Sequence, residues 1–306
     1  MDNPTGVLSR EQKKKIIPYL LIAPVVIYYI LFWLLPVVRA ISGSFMSAPA
    51  DEGGVFTFGN YTALFKDPVF YQALFNTAFI VLISVTLEFV LAFGLALLIN
   101  MKFHGSGMFL FLALIPMSLP AVAVGAMWTS GLSTYGWLNS FLIRIGILNA
   151  ADKIIFLGGG HFAKMFLIII VDAWQVIPSV MVILLSGMQA LQPEMMEAGY
   201  VFGGSRFKVL RKITIPLLKP TITTAMILRI IAAIQIWLII VMLFGYNRLP
   251  VLLEQIVLNV DKYTGSEAFF RKGMALSVVV SLIVSCVSFL YLKVSGAFDE
   301  PAGKGV

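Results

Sequence analysis

Residues 193–220 read PEMMEAGYVFGGSRFKVLRKITIPLLKP, a polar and basic segment set between two strongly apolar runs. Pro193 suits the first turn of a helix, where its missing N–H costs little, and Glu194 and Glu197 suit the positive end of the helix dipole. Gly203-Gly204 is the natural break. Ser205 then reads as the cap of a second short helix ending near Ile213, before Pro216 begins the next apolar run. The expected structure is a helix, a turn and a helix lying at a membrane surface; the competing reading is an ordinary basic loop obeying the positive-inside rule.

Outward from this loop, the composition sets the class. The 306 residues are 59% hydrophobic and 12% charged, with a mean hydropathy of +0.95, whereas soluble globular domains carry about 25% charge. The chain is therefore read as a polytopic membrane protein. A single cysteine, Cys286, lies in an apolar run, so no disulfide framework is expected and no metal site can be built from thiolates. The formal charge of +7 comes from cations at the ends of apolar runs. The positive-inside rule explains these, and nucleic acid is not an expected partner.

The apolar runs predict six spans, at about 16–38, 77–100, 108–130, 163–186, 221–244 and 273–294. Each is long enough to cross a hydrocarbon core of ~30 Å. The basic stretch Arg10, Lys13, Lys14 and Lys15 precedes the first run, no small-residue cleavage site follows it, and it is read as an uncleaved helix that Pro24 kinks. Residues 1–15 and 295–306 are expected as cytoplasmic tails flanking a transmembrane domain over 16–294. Between the first two spans, residues 39–75 form an outside segment whose aromatics Phe56, Phe58, Tyr61, Phe65, Phe70 and Tyr71 suit the interface, with a short helix lying on the outer face. The outer loops, 131–162 and 245–272, carry turns at Gly158-Gly159-Gly160 and Tyr263-Thr264-Gly265. Six spans put both termini in the cytoplasm, and the modest excess of basic residues in the short inside segments agrees.

No catalytic constellation is legible. Nothing reads as a phosphate-binding G-x-x-x-x-G-K-[ST] loop, so no ATP-hydrolysing site is expected on this chain. His104 and His161 fall outside the spans and read as surface histidines. Three ionisable residues lie within spans, Glu88, Asp172 and Arg229, and such groups are functional candidates because burying them in hydrocarbon is costly. At 1.5 Å per residue, Asp172 is ~13 Å in from an outer start at Ala163 and Arg229 ~12 Å in from an inner start at Thr221, both near the midplane. Gln235, ~21 Å from that inner start, lies slightly outward of them. Carboxylate and amide oxygens there would accept hydrogen bonds from a polar ligand, and Trp174 or Trp237 could offer it an aromatic face. The competing reading is an Asp172–Arg229 structural ion pair. Glu88 is assigned to hydrogen bonding between helices.

The loop resembles the EAA loop of the membrane-spanning subunits of ATP-binding-cassette (ABC) importers: Glu197-Ala198-Gly199, Phe202-Gly203-Gly204 and Ile213-Thr214-Ile215-Pro216 fall in register with that pattern. Gly199 stands for the second alanine and Phe202 for aspartate. The likeness to the carbohydrate-uptake branch, the maltose permease family, continues through FGNYTALFKDPVFYQALFNTAFI, GWLNSFLIRIGI, VDAWQVIP and Gly273 with Ala275-Leu276-Ser277. It departs where a Thr-x-Gly-Gly-Pro turn becomes Phe244-Gly245-Tyr246-Asn247-Arg248-Leu249-Pro250.

This resemblance implies an all-α integral membrane protein of six transmembrane helices, with the type I ABC importer permease fold and a cytoplasmic coupling loop over 193–216. It implies one permease subunit of a prokaryotic plasma-membrane importer that moves a sugar, oligosaccharide or related polyol. The partners would be a second, similar permease chain, two ATP-binding subunits and an extracytoplasmic solute-binding protein. No cofactor would sit on this chain; ATP and Mg would bind the partner ATPase. Glu197, Ala198, Gly199, Gly203 and Gly204 would contact that ATPase, and Asp172, Gln175, Ser179 and Gln235 would face the sugar. Arg229 stands where the branch is usually apolar or small, which points to an acidic sugar or a phosphorylated polyol. The rival class is an ion-coupled secondary transporter, for which Glu88, Asp172 and Arg229 would be coupling residues.

Overall fold

The computed structural model describes residues 10–47, 54–261 and 266–298. The turn expected at Tyr263-Thr264-Gly265 and most of both expected tails lie outside them. Among the described residues the structure is helical throughout, apart from one isolated antiparallel bridge between Met46 and Phe56. Among the described residues four helices are each long and apolar enough to cross a membrane, or up to six if each of two bent helix pairs, 106–132 and 206–234, is one span.

The chain divides into two compact units, one from its start to Leu64 together with Asn259–Val278, the other Phe65–Leu258 with the chain from Val279 onward. In the first, helix α1 runs over 10–44 and is continuous through Pro18 and Pro24. Its irregularity falls instead at a π-turn, Ile30–Leu34, just before Pro36. A proline ring clashes with the carbonyl four residues back and cannot donate to it, so widening the turn before Pro36 relieves both problems without ending the helix. The amide of Leu35 accordingly reaches Ile30 O. A short helix α2, Gly59–Phe65, follows. Asn60 Nδ2 donates to the carbonyls of Ser44 and Met46, both at 2.9 Å, while Phe45 stacks on Phe56 and meets Phe58 and Tyr61. The aromatic-rich segment thus folds back on the end of α1.

The second unit is built on two long helices, α3 (Pro68–Asn100) and α7 (His161–Gln189). Asp67 caps α3, its carboxylate accepting from Val69 N at 2.9 Å, with Pro68 at the first helical position. Between them come α4 (Ser106–Ser118), α5 (Ala121–Leu132) and α6 (Trp137–Arg144). The run expected as one span over 108–130 is broken at Leu119-Pro120 by a 96° bend. Leu119 is extended, as a residue before proline prefers.

After α7 come α8 (Pro193–Val201), α9 (Arg206–Leu217), α10 (Lys219–Ile234) and α11 (Leu238–Phe244). The expected span 221–244 is thus two helices, interrupted at residues 235–237. Helix α9 holds a second π-turn, Leu210–Thr214, again just ahead of a proline, Pro216. Helices α12 (Leu252–Asp261) and α13 (Glu267–Val294) complete the order.

Two apolar cores run along the α3–α7 pair. One gathers Ile80, Val124, Met165, Ile168, Ile169, Ile240 and Leu243; the other Ala92, Ala96, Val180, Met181, Leu184, Leu218 and Ala225. Helices associate in membranes by close packing, and fully buried Ala92 and Ala96 let α3 approach its neighbours. The stretch of α3 between Ile80 and Ala92 and that of α7 between Val171 and Val180 form the junction of these cores. Polar residues occupy that junction.

Candidate functional site

Three charged side chains meet at the junction. Arg229 of α10 donates from Nε and Nη2 to the two carboxylate oxygens of Glu88 on α3, the Nη2 bond to Oε1 being 2.9 Å, and also from Nη2 to Asp172 Oδ2 on α7. Glu88 is fully buried, Asp172 and Arg229 nearly so. A charge in hydrocarbon is tolerated when it is paired and hydrogen-bonded, and Arg229 supplies the planar fork that engages two carboxylates at once. The expected Asp172–Arg229 contact is therefore present, but Glu88, assigned to plain helix-to-helix bonding, is its third member.

In front of the triad lies a cavity of about 450 Å³. Asp172, Gln175, Val176 and Ser179 line it from one face of α7, at the i, i+3, i+4 and i+7 spacing that puts residues on a single stripe. Arg229 and Ala232 of α10, Gln235 and Trp237 of the following break, and Met117 and Ala121 on either side of the α4–α5 bend close the rest. The four residues expected to face the sugar and the candidate Arg229 thus line one cavity. The two helix breaks explain why the cavity is there: broken helices leave backbone groups at membrane depth, and these are tolerated where they line a cavity or find a partner. Gln175 Nε2 donates to the carbonyl of Leu119, at the first break, at 2.9 Å. Ser179 Oγ donates to Val176 O at 2.7 Å. Of the two tryptophans, Trp237 lines the cavity, whereas Trp174 packs edge-on against Trp128 in the core.

At the other end of α7, His161 opens the helix and is no free surface histidine. Its Nε2 lies 2.9 Å from Asn76 Oδ1, and Asn76 donates through Nδ2 to Pro250 O at 2.7 Å. Since the Asn76 oxygen can only accept, Nε2 of His161 carries the proton. The turn over residues 244–250, where the chain departs from the branch pattern, is reversed at Gly245 (φ +83°) and Asn247 (φ +57°), the latter a side chain that tolerates the left-handed region. Buried Glu254 accepts from the amides of Asn247 at 2.6 Å and Val251 at 3.2 Å. Desolvation raises its carboxyl above the usual range, and these two amides oppose the rise.

The loop between α7 and α10 forms the expected two-helix unit. Ser205 caps α9, accepting from Lys208 N at 3.3 Å. Helix α8 ends in a double reversal: Gly204 N bonds Gly199 O at 3.0 Å, Gly203 N bonds Tyr200 O at 2.9 Å, and Gly203 has φ +75°. This Schellman arrangement requires glycine at Gly203. A β-carbon on Gly204 would stand 2.6 Å from Gly199 O, and one on Gly199 2.6 Å from Ile213 Cδ1. Glycine at 199, where the loop pattern has alanine, therefore lets α8 sit close on α9. Glu197 and Ala198 are exposed, as are Val201, Phe202 and Phe207, Phe202 by 89%.

Residues 88–295 match the binding-protein-dependent transport system inner membrane components. The chain belongs to this family. The sulfoquinovosyl glycerol transport system permease protein of Agrobacterium fabrum is 32% identical over 92% of this chain and 90% of its own length. The trehalose/maltose transport system permease protein of Thermococcus litoralis is 29% identical over 96% and 97%. Among solved structures, a bacterial ABC transporter involved in the import of the acidic polysaccharide alginate superposes with a TM-score of 0.78, at 20% identity, over 93% of this chain and 97% of its own. It shows a shared fold. As a family member the chain is a multi-pass inner-membrane permease of an ABC importer that works with a binding protein, and ATP is handled on its partner ATPase. The ion-coupled secondary transporter reading falls with this assignment.

Proposed function

We propose that this permease conducts a sugar, oligosaccharide or related polyol, and that the cavity bounded by α7, α10 and the two helix breaks is its transmembrane substrate site. One observation carries the proposal: Asp172, Gln175, Ser179, Arg229 and Gln235 converge on a single cavity of about 450 Å³ that Trp237 also lines. Hydrogen-bonding groups with an aromatic face are the ordinary equipment for a sugar ring. The carbohydrate permeases to which the chain is similar support the reading.

In this reading six spans place both termini in the cytoplasm, a second similar permease chain completes the pathway, and two ATP-binding subunits grip the 193–216 loops. Glu197, Ala198, Gly199 and the Gly203-Gly204 turn seat in the ATPase, with Phe202 and Phe207 as apolar contacts. Closure of the ATPase pair would then rock the spans around the cavity between inward-facing and outward-facing states. The test is uptake of labelled oligosaccharides by the assembled complex in proteoliposomes, with its binding protein. Loss of one substrate hydrogen bond in Gln235→Ala should cut uptake about tenfold. Sugar uptake unaltered in that variant would remove the cavity from the pathway, and absence of uptake of any sugar by the intact complex would remove the substrate class.

A further inference from the structure

The cavity contains an arginine, and on sequence grounds that arginine invites an anionic sugar. The geometry points the other way: we infer that this site selects uncharged, hydroxyl-rich sugars and disfavours anionic ones, because Arg229 is already engaged by Glu88 and Asp172. The inference rests on the reading of this cavity as the substrate site and specifies what that site accepts.

Two independent features carry it. The first is charge. Arg229 is the one cation among the lining residues, and it faces two carboxylates. With both carboxylates ionised the triad sums to minus one; with one protonated, to zero. In neither state is the cavity wall positive, and a carboxylate or sulfonate entering it meets no net attraction to replace its lost hydration.

The second feature is hydrogen-bond polarity. Guanidinium has five N–H groups; Nε and Nη2 are spent on the carboxylates, which leaves the Nη1 pair. Gln175 has given a donor to Leu119 O, and what it offers the cavity includes a free amide oxygen. Ser179 has given its hydroxyl hydrogen to Val176 O, and its oxygen is left to accept. Asp172 accepts only. The wall thus offers acceptors at Asp172, Gln175, Ser179 and Gln235 beside donors at Arg229 Nη1 and the Gln235 amide, a mixed set that suits O–H groups, which both donate and accept, whereas an ionised acid group can only accept.

The experiment compares sugars that differ only at C6, a hydroxymethyl group against a carboxylate. The probes are p-nitrophenyl glucoside, galactoside and mannoside, each against its p-nitrophenyl uronide, binding to the permease complex in nanodiscs without a binding protein. The readout is quenching of tryptophan fluorescence by the nitrophenyl group, with Trp237→Phe marking the part that comes from the cavity. At least one neutral probe should bind about tenfold more tightly than its uronide. Glu88→Gln, which does not line the cavity yet removes one negative charge behind it, should narrow that ratio several-fold without weakening the neutral sugar. Equal affinity for both members of every pair, or a ratio unmoved in Glu88→Gln, would overturn the charge selection and leave the substrate site standing. Binding of no probe with a Trp237-dependent signal would overturn both.

Discussion

Arg229 is held in the structure by two carboxylates from two other helices, so its removal strands both. Breaking a buried ion pair by deleting one partner costs about 3–5 kcal/mol, because the remaining charge is left without compensation. Arg229→Met should therefore lower the apparent melting temperature of the detergent-solubilised protein sharply. Adding Glu88→Gln and Asp172→Asn to the same chain should restore most of it, since neutral amides need no counter-charge. A single Arg229→Met variant as stable as wild type would mean that the triad is not a structural unit. The charged residues of this cluster were legible in the sequence as interruptions of apolar runs, and so was the depth of two of them. Glu88 is eleven residues into its expected span, ~16 Å at 1.5 Å per residue, which matches the depth of Arg229. What the sequence does not contain is rotation: only the packing of α3 on α7 decides that Glu88 faces inward. Trp174 fell to the same uncertainty, since it sits beside Asp172 on the chain but turns to Trp128.

Among elements, the α8–α9 loop followed its local chemistry closely. Proline, serine and a glycine pair are strong local signals, and Pro193, Ser205 and Gly203 occupy the helix start, cap and reversal that those residue types favour. The long apolar helices were less transparent, because hydrophobic runs report membrane depth and not continuity. The breaks at residues 119–120 and 235–237 fall inside predominantly apolar runs; Pro120 marks the first, and the second has no proline or glycine to announce it, only Gln235. Coupling through the loop should depend on its geometry and on its charge separately. Gly203→Ala forces a β-carbon into the left-handed region at a cost of about 1–2 kcal/mol, and Gly204→Ala sets one against a backbone carbonyl that cannot move aside cheaply. Both should insert normally yet lower substrate-stimulated ATPase activity of the complex. Glu197→Lys changes charge on an exposed surface and should uncouple hydrolysis from uptake with the helix intact. Wild-type uptake by Glu197→Lys would count heavily against the coupling role.

At the scale of the whole molecule, the question is which end of the pathway each break and loop faces. In the proposed importer reading the 193–216 loop faces the ATPase in the cytoplasm, and α7 carries the chain from His161 outside to Gln189 inside. That direction puts the Asn76–His161–Pro250 cluster and the Glu254-bound turn at the outer mouth. It also fixes α10 as starting at the inner surface, so the cavity below Gln235 sits between the two. Because the chain has a single cysteine, Cys286→Ser gives a background in which position can be read one residue at a time. Phe202 and Asn247 are both exposed, on opposite ends of this arrangement. With a membrane-impermeant maleimide on intact cells, Asn247→Cys should label and Phe202→Cys should not, and disrupting the membrane should make Phe202→Cys react. The reverse pattern would turn the molecule over and place the loop where no ATPase could reach it. Equal labelling of both in intact cells would mean that α7 and α10 do not bracket the membrane, and the cavity would then have no transmembrane path to serve.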